Sequence, residues 1–157
     1  MPKINPSLWF DTQGLEAAEY YCSVFPNSEI LQVTHYGEGG MRPAGTILTV
    51  AFVLDGLEFL AINGGPQFTF SEAVSFVIEC ADQAEIDRYW ETLSDGGEEG
   101  PCGWLKDRYG LSWQIVPAGL GELLSDSDEA RRDRAMGAIL KMGKLDVAAI
   151  RAAADGA

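Results

Sequence analysis

Imidazole is almost missing from this chain. A single histidine, His35, stands among 157 residues, so no multi-histidine cluster can grip a divalent cation within one subunit. Thiols are nearly as scarce. Cys22, Cys80 and Cys102 are odd in number and form no Cys-x-x-Cys pair, which argues against a disulfide scaffold or a structural zinc site. Basic side chains are few as well: 11 Lys and Arg face 24 Asp and Glu, for a formal net charge of −13. Such a surface repels phosphate backbones and anionic lipid, so neither nucleic acid nor a membrane surface is an expected partner. The longest apolar stretch, Ile47 to Leu54, is broken by Thr49 and is far short of the roughly 20 residues that span a bilayer. Met1 to Pro6 carries no apolar signal region, and a cytoplasmic location is the default expectation.

What is present is a foldable core and an internal echo. Hydrophobic residues make up 46% of the chain, too many for disorder, and the length suits one domain or two fused half-domains. Leu8-Trp9-Phe10-Asp11 leads through Glu16 to Tyr20-Tyr21 and Val24. At an offset of 69 residues (Leu8 against Val77), Val77-Ile78-Glu79-Cys80 leads through Glu85 to Tyr89-Trp90 and Leu93. Identity between the copies is low, but the pattern of apolar run, polar interval and aromatic pair on a helix recurs. It implies two strand–helix–strands units packed as one body, an arrangement that commonly encloses a cleft.

Periodicity places the elements. Ile4 to Asp11 reads as a strand, and Asp11 or Thr12 as the cap of a helix from Gly14 to Val24. Glu29 to Tyr36 alternates as a strand. The glycine-rich Gly37 to Gly45 is a loop, and Asp55-Gly56 joins Thr46–Leu54 to Leu57–Asn63 as a hairpin. The second unit repeats the order: Ala73–Glu79, a helix to Ser94 capped by Asp82, weaker strands near Glu99–Cys102 and Trp104–Asp107, and a last strand Leu111–Val116. Leu120–Leu124, a helix from Ser127 to Met142, and Val147–Ala154 behind Asp146 form a helical tail. Met136, Ile139, Leu140 and Ile150 are its expected packing face. The expected divisions are 4–64, 73–118 and 119–155, all within one compact domain.

Several segments carry a resemblance to a known family. They are Gly64-Gly65-Pro66, Ser75-Phe76, Asp87-Arg88-Tyr89-Trp90 and, most specifically, Cys102-Gly103-Trp104-Leu105-Lys106-Asp107-Arg108-Tyr109-Gly110-Leu111-Ser112-Trp113-Gln114. Together they resemble the PhnB-like branch of the vicinal oxygen chelate superfamily, many of whose members are labelled 3-demethylubiquinone-9 3-methyltransferase. The superfamily includes glyoxalase I, extradiol dioxygenases and bleomycin resistance proteins. The resemblance implies an α+β fold of two βαβββ modules forming a curved mixed sheet, followed here by the carboxy-terminal helices. It also implies a homodimer.

Metal-using members of that superfamily take His, Glu or Gln ligands from four strands. Transferred to this chain through the aromatic pair Tyr20-Tyr21, those positions fall near Pro6, Ala61 or Asn63, Ala73 and Gln114. Proline and alanine donate nothing to a cation, and a catalytic divalent site normally needs three good protein ligands. The spare carboxylates Asp11, Glu58, Glu79 and Asp107 read as strand ends or outward positions. No metal and no cofactor is therefore expected.

The expected ligand-binding residues are Phe10, His35, Asn63, Phe68, Trp104, Ser112 and Gln114, with Phe70 as a further pocket aromatic. Sparse polar groups in an apolar lining suit a small molecule. Trp9 and Trp113 are expected under the helices. Two readings of His35 are open, a general base in the cleft or a hydrogen-bonded strand-end residue. Cys102 is either a reactive thiol near Lys106 or a turn residue that packs the last hairpin. Lys106-Asp107-Arg108 reads as a charged turn, with anion binding as its alternative. No catalytic residue is assigned, and whether a reaction is catalysed stays open. The leading functional expectation is a metal-free small-molecule-binding protein. The alternatives are a metal-dependent lyase or dioxygenase of the same fold, a methyltransferase acting on a quinone precursor, and a pure interaction module.

Overall fold

A computed structural model describes residues 1–157. The chain divides into two units, Met1–Thr69 and Phe70–Ala157. In the first, β1 (Ser7–Phe10), α1 (Gly14–Val24), β2 (Glu29–His35), β3 (Ile47–Leu54) and β4 (Leu57–Asn63) build a four-stranded sheet in the order β1-β4-β3-β2. In the second, β5 (Ser75–Cys80), α2 (Gln83–Ser94), β6 (Glu98–Glu99), β7 (Trp104–Lys106) and β8 (Ser112–Pro117) repeat it as β5-β8-β7-β6. In each, the first strand runs parallel to the fourth and the rest are antiparallel. A strand can lie parallel to a later one only if the chain crosses over, and α1 and α2 are those crossovers. The duplicated α+β architecture is as expected.

Local chemistry explains the element ends. Asp55 and Gly56 both take positive φ, 45° and 88°, as a two-residue hairpin between β3 and β4 requires. Asp82 caps α2 by accepting the Glu85 N–H at 2.9 Å, while Glu85 reaches back to the Ala81 N–H at 2.8 Å. Neither Asp11 nor Thr12 caps α1. That role falls to Asn63 at the end of β4, whose Oδ1 accepts the Gly14 N–H at 2.8 Å.

One face of each sheet is covered by its helix. In the first unit, Leu8 and Phe10, Val50 and Phe52, and Phe59 and Ala61 meet Ala17, Ala18 and Tyr21 of α1. Tyr21 and Phe59 each lie nearly parallel to Phe52, at 6.4 and 5.3 Å between ring centroids. In the second, Cys80, Leu105, Trp113 and Ile115 meet Ile86, Tyr89, Trp90 and Leu93. The two helices keep the 69-residue offset, since Gly14 and Gln83 both open them. The strands do not: Phe10, four residues before α1, is buried, and so is Cys80, three residues before α2. A one-residue difference turns a strand over. Phe10 therefore shares the covered face with Cys80, not the uncovered face with Glu79. It is a core residue, not a pocket residue, and Trp9 takes the uncovered face. Trp113 is under its helix, as expected.

The tail belongs to the second unit. Helices α3 (Leu120–Leu124), α4 (Glu129–Ile139) and α5 (Val147–Ala154) enclose a small core of Ala135, Ile139, Leu145, Ile150 and Ala154 with Val116. Helix α4 stops at Ile139 rather than Met142; Met136 and Leu140 are exposed, and Ala135 and Leu145 pack the tail core beside Ile139 and Ile150. Asp128 and Asp146 cap α4 and α5 through the Arg131 and Ala149 amides. No helix is long and apolar enough to cross a membrane.

Candidate functional site

In the second unit, the sheet face away from α2 is set by register. Lys106 lies opposite Ser112, Trp104 opposite Gln114, and Gln114 opposite Val77. Alternation puts these side chains on one side of the sheet and Leu105, Trp113 and Ile115 on the other. Over the β6–β7 end of the uncovered face lies a cavity of about 500 Å³. Its lining includes Trp104, Ser112, Lys106, Cys102, Glu72 and Glu98. Of the expected ligand-binding residues it contains Trp104 and Ser112; Gln114 sits beside it and donates from Nε2 to Ser75 Oγ at 2.9 Å.

Ser112 is the unusual member. It is 1% exposed, and its Oγ has no hydrogen-bond partner. A buried hydroxyl left unpaired costs about 1–3 kcal/mol, so such groups are rare unless something else satisfies them. Lys106 is the one cationic side chain of the lining. It pairs closely with Glu72 and stands 3.9 Å from Glu98. The hydrogen bond to Glu72 raises the Lys106 pKa, and the same contact lowers that of Glu72. Both are charged at neutral pH, so Lys106 is not a free anion site. Glu99, opposite Leu105, turns its carboxylate to the α2 side of the sheet, where it accepts the Trp90 indole N–H at 2.9 Å.

The loop before β7 forms one wall. Cys102 and Gly103 take consecutive positive φ values of 60° and 84°. A Cβ on Gly103 would meet Ile115 O at 2.9 Å, so this step in the chain admits only glycine. The Cys102 and Gly103 amides donate to Met142 O and Gly143 O, both at 2.8 Å. The tail segment that accepts them is itself clamped to α2. Gln83 donates to Leu145 O at 3.0 Å and accepts the Val147 N–H at 2.8 Å, and Lys144 pairs with Asp87 at 2.8 Å. Cys102 is half-buried and packs against the tail core while also lining the cavity.

Asp107 is where sequence reasoning missed a central residue. Expected at an outward or turn position, it is 2% exposed. Its Oδ1 accepts the Tyr109 and Leu111 amides at 2.8 and 3.1 Å, and its Oδ2 accepts the Trp113 indole N–H at 2.9 Å. The signal was available: an aspartate bonding the amide two residues on, with glycine following, is an Asx-turn. Arg108, next in sequence, points elsewhere, 3.7 Å from Asp95. The acidic lining residues Glu72 and Glu98 were also missed, because nothing in their spacing marks them.

The remaining expected residues lie in the first unit. Phe10 is buried beneath α1. Asn63 is 4% exposed, and its amide is spent on structure: beyond capping α1, Nδ2 donates to Thr12 O and Ile47 O. His35 is exposed at the end of β2, opposite Ile47. Phe68 is exposed and stands edge-on to Trp9 at 4.9 Å.

The positions at which the superfamily holds a metal do not fit one here. Pro6, Ala61 and Ala73 have no side-chain donor, Asn63 is committed, and Gln114 is bonded to Ser75. No three His, Cys, Asp or Glu side chains come together in a grouping that could hold an ion.

The family model for 3-demethylubiquinone-9 3-methyltransferase matches residues 2–116. The chain belongs to this family. A PhnB protein from Bacillus cereus, titled for the same methyltransferase family, is 34% identical, with 74% of this chain and all of that one covered at a TM-score of 0.66. A protein from Pseudomonas aeruginosa is 20% identical over 74% of this chain and 98% of its own, at 0.62. The fosfomycin resistance protein FosX from Listeria monocytogenes is 15% identical over 78% and 97%, at 0.53, a likeness of fold alone. No curated protein matches. The fold is that of the vicinal oxygen chelate superfamily, in its PhnB-like branch. The family match ends within β8, so the tail that holds the Cys102 loop lies beyond it.

Proposed function

We propose that this PhnB-like protein is a metal-free small-molecule-binding protein whose ligand sits on the uncovered face of the second sheet. The observation that carries the reading is the 500 Å³ cavity with the buried, unpartnered Ser112 hydroxyl in its lining. Such a volume suits a small ligand, and an unsatisfied hydroxyl waits for one hydrogen-bonding group. The poverty of donors at the superfamily's metal positions supports the metal-free reading over a metal-dependent lyase or dioxygenase. Methyl transfer finds little support in the glycine-rich Gly37–Gly45, which joins the antiparallel strands β2 and β3 instead of opening a helix after a parallel strand.

The working form is a homodimer in the cytoplasm. Val77, 54% exposed on the uncovered face of β5, and Val74, 64% exposed just before it, are the kind of apolar surface a second copy covers. Native mass spectrometry of protein taken directly from cells tests these statements together. The expected spectrum is a dimer carrying a small organic molecule, with a mass unchanged by chelator. A stoichiometric divalent ion removed by EDTA would overturn the metal-free reading, a monomer would overturn the dimer, and micromolar binding of S-adenosylmethionine would revive the methyltransferase.

A further inference from the structure

The geometry points to an organic ammonium as the ligand class, if the cavity binds as proposed above. The lining sets one ammonium, Lys106, between two carboxylates, Glu72 and Glu98. Glu72 already satisfies the Lys106 charge. An incoming carboxylate or phosphate would have to displace Glu72 and would still face Glu98, a like-charge contact that disfavours it. An incoming cation meets the opposite balance.

Two further features suit a protonated amine. The Trp104 ring lines the same cavity, and an indole face attracts a cation. The Ser112 oxygen is buried without a partner and can accept a hydrogen bond from an N–H donor. Carboxylates, an aromatic face and an orphan acceptor thus converge on a primary or secondary ammonium with an apolar body. Overall charge acts in the same sense, since a net −13 draws cations toward the protein.

Three probes of equal size separate the possibilities: benzylammonium, benzyl alcohol and benzoate, titrated into the full chain by calorimetry. The Trp104 indole resonance, assigned by its loss in Trp104→Phe, reports whether binding is in this cavity. Benzylammonium is expected to bind about tenfold more tightly than benzyl alcohol, with benzoate weakest. Glu98→Gln, at an exposed carboxylate, should cut the ammonium's advantage about two- to fivefold. Ser112→Ala should weaken benzylammonium about fivefold with melting temperature unchanged or raised, because it removes an unpaired hydroxyl. Equal binding of alcohol and ammonium, or preference for benzoate, would refute the ammonium assignment and leave the binding site standing. If none of the three moves the Trp104 resonance, the site itself falls.

Discussion

Asp107 is the residue on which the most specific stretch of this sequence turns. One carboxylate organises the β7–β8 hairpin from inside, taking two amides and an indole. Hydrogen bonds to a buried charge are strong, and removing the acceptor leaves donors stranded. Asp107→Asn is expected to destabilise the protein by about 2–3 kcal/mol in urea unfolding, with secondary structure retained at 25 °C. A loss below about 0.5 kcal/mol would contradict this role. Cys80 makes a second prediction. Burial pushes its thiol up from 9.0 to about 11, with Glu85 adding to the shift. The folded state therefore keeps a proton that the unfolded state releases above pH 9. Cys80 contributes full stability below pH 9, and this is lost as the pH rises to about 11. A Cys80→Ala variant should show a shallower alkaline decline in stability than the parent; identical slopes would contradict the shift. At this scale the sequence was only half legible. Tyr21, Trp90 and Trp113 could be read as core from helical or strand period. Phe10 could not, because its face depends on a strand-to-helix connection one residue longer than the one after Cys80. Asn63 looked like a ligand contact because nothing local announces that it caps a helix 49 residues earlier.

Elements were easier to read than their partners. Helix α2, the β3–β4 hairpin and α5 follow from period, turn residues and caps that lie within a few positions of one another. The two-residue β6 could not be read in full, since its strand character comes from pairing with Leu105 and Lys106. The tail's function was also hidden, because it depends on contacts made more than 35 residues away in sequence. Those contacts give a prediction about α2. Gln83 fills both sides of its amide with Leu145 and Val147, and so indirectly holds Met142 and Gly143 against the Cys102 loop. Gln83→Ala is expected to speed hydrogen exchange at the Cys102 and Gly103 amides about tenfold or more while leaving exchange in β3 and β4 unchanged. Uniform acceleration throughout the chain would mean loss of global stability instead.

On the scale of the whole molecule, the duplicated topology was the most legible feature of all, since a repeat of helix spacing survives even where residues differ. The surplus of acid was equally plain, and it has a consequence for stability. Most of the ion pairs are exposed, such as Arg88 with Glu85 and Arg108 with Asp95, and contribute little each. Self-repulsion from a net −13 is spread over the same surface. Raising salt from 0.02 to about 0.2 M shortens the screening length severalfold, so the melting temperature is expected to climb by a few degrees. A fall would mean that the exposed pairs outweigh the repulsion.

The carbonyls of Met142 and Gly143 have one more implication. A chain of this family ending at Val116 would hand the amides of Cys102 and Gly103 to water, and the cavity wall they belong to would lose its anchor. Evolution can therefore retune what such a site admits by editing helices that never touch the guest, much as a bookend decides how upright the last volume stands.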